Sequence, residues 1–136
     1  MKKLVLFATI GLFLIGMTAC GGGGKYADAR AVIEDMLDAT EKFINACDKI
    51  ENVDDAIAAV NDYAEAMKEI QPKAKELEKK YPELKDNPPE ELKDVMKRTE
   101  EVMPKMMGAM GKLMKYATDP KFMEAQKKLG EVMGRQ

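Results

Sequence analysis

The chain has 136 residues, of which 46% are hydrophobic, with no histidine, no tryptophan and a formal net charge of −2. That length suffices for one domain with a real core and is short for two. The lack of histidine excludes Ser-His-Asp and Cys-His nucleophilic catalysis, His-Glu-x-x-His zinc sites and the Glu-x-x-His di-iron bundles.

The chain opens with Lys2 and Lys3, followed by an apolar run from Leu4 to Ile15 broken only by Thr9 and Gly11. The run is shorter than the roughly twenty residues of a spanning helix and has the proportions of a signal peptide. It ends in Met17-Thr18-Ala19-Cys20, and Gly21 to Gly24 follow. On these residues the chain resembles bacterial lipoprotein precursors, whose lipobox takes an apolar residue, two small residues and then cysteine. Met17 stands where leucine is usual. The resemblance implies that residues 1–19 are a signal peptide cleaved before Cys20. It also implies a thioether-linked diacylglycerol on Cys20, often with an N-acyl chain such as palmitate, and so a membrane anchor in the cell envelope. Two or three acyl chains hold firmly where one alone does not. Gly21, rather than aspartate, after the cysteine implies the outer membrane in an organism that has one. The alternative is an uncleaved anchor helix ending in an ordinary cysteine. Residues 20–25 then form a lipidated cysteine and a flexible glycine tether.

Residues 26–136 read as one all-α domain, because apolar residues recur at three and four positions and nowhere alternate with period two. The first helix is expected from about Tyr26 to Lys49, with Val32, Ile33, Met36, Leu37, Thr40, Phe43, Ile44 and Cys47 on its apolar face. Asn52, with Asp55 three residues on, caps the second, which carries Ile57, Val60, Ala64, Met67, Ile70, Leu77 and Tyr81. Pro72 lies inside it and is expected to kink or split it. After a connector over 82–87, Asn87-Pro88-Pro89-Glu90 reads as the start of a third helix running to about Ala117, interrupted by Pro104 and weakened by Gly108 and Gly111. Asp119-Pro120 opens a fourth, with Phe122, Ala125, Leu129, Val132 and Met133, fraying at Gly134. The expected fold is an up-and-down helical bundle of three to four antiparallel amphipathic helices behind the Gly-rich tether, since packing the stripes together hides them all.

Charge is divided unevenly. Residues 26–91 carry nine basic against eighteen acidic side chains, and residues 92–136 carry ten against six. Either the acidic half packs beside the basic half, or the basic helices face anionic lipid or an acidic partner. No basic run interleaved with aromatics points to nucleic acid.

Of the 12 methionines, the third helix holds Met96, Met103, Met106, Met107, Met110 and Met114. The series Leu92, Met96, Thr99, Met103, Met106, Met110, Leu113 and Ala117 alternates three- and four-residue steps, the seam of a packed helix, and this favours a methionine-filled core. Two other readings stay open. Met103, Met106, Met107 and Met110 could line an adaptable groove for lipid, peptide or unfolded chain, or their thioethers could hold Cu(I). With Cys20 acylated, Cys47 has no partner in the chain and is expected to be a small buried hydrophobe. Acidic pairs one turn apart, such as Glu34 with Asp38 and Glu65 with Glu69, are expected on solvated faces and carry no catalytic assignment. The functional expectation is a non-enzymatic, membrane-anchored module that contacts an envelope protein or apolar ligand and needs no cofactor beyond its acyl chains.

Overall fold

A computed structural model describes residues 24–134, so Cys20 and the lipobox lie outside the described residues. Among the described residues four α-helices follow one another: α1 (Ala27–Cys47), α2 (Val53–Lys80), α3 (Lys93–Leu113) and α4 (Pro120–Val132). Among the described residues there are also short 3-10 turns at Pro82–Lys85, Glu90–Leu92 and Met114–Tyr116, and no strand. The all-α bundle expected from periodicity is what forms.

Two helix starts follow their local chemistry. The Asn52 side chain accepts from the Asp55 backbone N–H at 3.0 Å, and the Asp55 carboxylate accepts from the Asn52 N–H at 3.3 Å, a reciprocal capping box. Asp119 accepts from the N–H groups of Lys121 and Phe122 at 2.9 and 3.1 Å, with Pro120 in the first turn. The third start differs from expectation. No side chain caps α3, which enters through the Glu90–Leu92 turn and begins at Lys93 rather than at Pro88. Neither Pro72 nor Pro104 splits its helix: α2 and α3 each run through as one element, and both prolines sit on exposed positions. An exposed ring costs the helix one donor without opening a hole in the core.

α1 is the hub. It packs against α2 on one side and α3 on the other, while α4 packs against α2. α1 and α2 are antiparallel: Asp28 meets Lys80, Asp35 meets Lys73 at 3.9 Å, and the Phe43 and Tyr63 rings stack with centroids 4.7 Å apart. α3 runs parallel to α1. Arg30 pairs with Asp94, Glu41 with Arg98 at 2.9 Å, and Asp48 with Lys112 at 2.5 Å, so both helices climb together. The short connectors therefore reverse the chain at each step, but α2 and α3 are not the principal neighbours that short connectors suggest.

Two apolar clusters hold the bundle. The larger joins Phe43, Cys47, Val60, Tyr63, Met67 and Ile70 to Ala109 and Leu113 of α3 and to Phe122 and Ala125 of α4. The smaller joins Ala29 and Leu37 of α1 to Tyr81, Leu92, Val95 and Val102. Tyr81 closes this end. Its hydroxyl lies 2.8 Å from the Lys25 carbonyl oxygen and 3.0 Å from Asp28 Oδ1, two acceptors for its single proton. The Tyr26 ring packs on it at 5.0 Å. The chain thus enters α1 at a fixed point, beside the end of α2 and the start of α3.

Candidate functional site

The buried seam of α3 consists of Leu92, Val95, Val102, Ala109 and Leu113, with Thr99 and Met106 half-buried between them. Their steps of three and four residues make a heptad seam one position away from the series the methionines suggest. Both series share Leu92, Thr99, Met106 and Leu113. They differ at Val95, Val102 and Ala109, which are buried, against Met103 and Met110, which are exposed, and Met96, which is half-buried and packs against the smaller core. The small and β-branched residues win because they let two helix axes approach closely, where long thioether side chains would hold them apart.

The expected methionine core is therefore corrected. Met103, Met107, Met110 and Met114 are exposed by 56, 72, 50 and 73%. At about 100° per residue these positions fall within about 60° of one another, so they form a single stripe along α3. Met106 is turned away from it and packs against the larger core, so the four methionines singled out from sequence are not brought together. The sequence reading missed Met114, and also Met123 on α4, 54% exposed. The available signal for Met114 was the spacing i, i+4, i+7, i+11, which completes the stripe at position 114.

At about 100° per residue the lysines near the stripe in sequence do not share its face: Lys105 and Lys112 fall on the opposite side of α3 and Lys115 at its flank, while the exposed Glu100 falls on the stripe's own side. From Val102 to Thr118 the chain holds Lys105, Lys112 and Lys115 and no acidic residue. Asp48 of α1 pairs with Lys112, and the Lys115 ammonium lies 4.7 Å over the Tyr116 ring. Lys105 and Lys115 are exposed. Farther down α3 the acids of α1 have drawn in the cations: Arg98 reaches Glu41 at 2.9 Å and Asp38 at 3.4 Å. The acidic half does pack beside the basic half, but along α1 and not over the methionine stripe.

Cys47 is 2% exposed within the larger core. Burial, reinforced by Asp48 and opposed by Lys112, pushes its thiol up to about 11. A thiol so held is protonated at neutral pH and a poor nucleophile. A cavity of about 180 Å³ between α1 and α2 is lined by Ala39, Phe43, Ala46, Ala59, Tyr63 and Ala66, with Lys42 and Asp62 at its edge. It includes none of the methionines. Among the described residues no group of three or more Cys, Asp and Glu side chains is placed to hold a metal ion, and no helix is long and apolar enough to cross a membrane. Compared with known protein families, characterised proteins and solved structures, the chain matches none.

Proposed function

We propose that the protein is a lipid-anchored, non-enzymatic binding module of a bacterial envelope, held by acyl chains on Cys20 and making its contact through the methionine stripe of α3. The observation that carries this reading is the exposure of Met103, Met107, Met110 and Met114 along one line of a helix whose other side is packed. Isolated exposed apolar residues are ordinary, but a contiguous stripe loses free energy to water unless something covers it. Methionine suits such a surface because its unbranched, polarisable chain adapts to what it meets. The lipobox and glycine tether supply the address, and the bundle supplies a rigid support for the stripe.

The same exposed stripe supports a second reading, capture of apolar cargo. The two are separated by an apolar fluorescent probe added to the purified protein. The binding-module reading expects probe uptake that falls several-fold in the double variant Met107→Gln/Met114→Gln and is unchanged in Glu65→Gln/Glu69→Gln on α2. Displacement of the probe by free fatty acid or peptide at low concentration favours cargo. No difference between the two double variants removes the stripe as the contact surface.

A further inference from the structure

We propose that the methionine stripe of α3 is a sulfoxidation site: a peroxide converts Met103, Met107, Met110 and Met114 to sulfoxides in the folded bundle, and the face turns from apolar to polar. The modification stands on the exposure of these side chains. Its consequence for binding rests on the binding-module reading.

Thioether sulfur is divided between interior and surface, and α3 keeps its share outside. Among the described methionines only Met67 is fully buried, at 1% exposed, and Met36, Met96, Met106 and Met133 are half-buried. Met107 and Met114, at 72 and 73%, are the most open. The buried seam of the same helix is built from Leu92, Val95, Val102, Ala109 and Leu113, which hold no sulfur. Oxygen added to a methionine makes a flexible apolar side chain polar, which disrupts a core or a methionine-rich contact surface. On the stripe it does the second without the first.

The competing sulfur is withdrawn. A thiol reacts as its thiolate. Cys47 lies in the larger core, and burial keeps its proton on at neutral pH. A thioether has no proton to lose, so access alone governs its reaction. The chain has no tryptophan and no histidine.

Access to the stripe is open. By helix geometry Gly111 and Pro104 fall about 40° and 60° from Met107, along one edge of the stripe. A Cβ added at Gly108 or Gly111 would meet nothing within 4 Å. The sulfurs therefore stand clear on that side, for a small peroxide and for the larger cleft of a repair enzyme.

The step balances. A sulfur lone pair attacks one peroxide oxygen, the S–O bond forms and the O–O bond breaks. The departing hydroxide takes the proton left on the transferred oxygen and becomes water. Sulfur gives up two electrons and the peroxide gains them. A dithiol reductase reverses the change, releasing the oxygen as water while its two thiols close to a disulfide.

The test treats the purified protein with graded hydrogen peroxide and follows each methionine by peptide mass spectrometry, alongside denaturant unfolding and uptake of the apolar probe. Met107 and Met114 are expected to gain oxygen several-fold faster than Met67, with Cys47 unmodified and the denaturant midpoint unchanged. Probe uptake is expected to fall several-fold as they convert, and to return after methionine sulfoxide reductase with dithiothreitol. The variant Met103→Leu/Met107→Leu/Met110→Leu/Met114→Leu keeps the face apolar without sulfur and is expected to hold its uptake through the same treatment. Equal rates at Met107 and Met67, or unfolding in step with conversion at Met107 and Met114, overturn the proposal. An equal fall of uptake in the leucine variant overturns it too, because the loss then arises elsewhere. Failure of the binding-module reading is distinct, since it shows as absent uptake before any peroxide is added.

Discussion

Val102 and Met103 are neighbours in the chain and point about 100° apart around α3: Val102 is 5% exposed and Met103 56%. The boundary between core and open surface passes between them. Val102→Ala removes methyl groups packed against α1 and should cost about 1–3 kcal/mol of unfolding free energy. Met103→Ala should change stability by less than about 0.5 kcal/mol. Denaturant unfolding of the two variants checks the register of α3 directly. A larger loss at Met103 would restore the methionine-filled seam.

Much of the bundle was legible in the sequence, for local reasons. Asn52 with Asp55, and Asp119 with Pro120, carry their capping chemistry within a few residues, so both helix starts are where the spacing puts them. Cys47, Phe43 and Ile44 share a clear apolar side, and Cys47 is buried with Phe43. The failures come where two patterns compete. On α3 the alternation through Met103 and Met110 and the alternation through Val102 and Ala109 are equally regular. Only the close approach of α1 decides between them, and that is a property of another helix. Likewise, the link over residues 81–92 does not say whether α3 settles against α2 or α1. The Arg98 pairings with Glu41 and Asp38 show the outcome.

The caps should be separable from tertiary packing. Asn52→Ala leaves the Asp55 N–H without its side-chain partner and should lower stability by about 1 kcal/mol, with Asp119→Ala costing a similar amount. Glycine at either position should recover most of the loss, because it tolerates the extended cap conformation. Thermal melts of the four variants measure this.

Cys47 gives the bundle an alkaline sensitivity. Its thiol titrates near 8.5 when unfolded and is pushed to about 11 in the fold, chiefly by burial. The resulting contribution to stability is therefore complete below about pH 8.5 and is lost as pH rises through the folded value. Its full size is on the order of 2 kcal/mol. Unfolding curves at pH 8 to 10.5 should show wild type losing stability faster than Cys47→Ala, so that the gap between them narrows. Parallel profiles would contradict this.

Asp28 acts at the other extreme. Its partial burial favours the neutral acid, but hydrogen bonds from Lys80 and Tyr81 outweigh that and hold the carboxyl below its usual range. The stabilisation is present above about pH 3.9 and is lost as pH falls through the lower folded value. Asp28→Asn should be less stable at neutral pH, and its deficit should shrink on acidification. The pH dependence of the denaturant midpoint, compared between the two proteins, reads this out.

The most direct test of the binding surface is photo-crosslinking in native envelopes from a probe placed at position 107, with a matched probe at position 69 on the exposed side of α2. Adducts to lipid or protein that form at 107 and are absent or several-fold weaker at 69 are the expected result. Equal adducts at both positions, or none at 107, would contradict the assignment of the α3 methionine stripe as the face through which this bundle makes its contact.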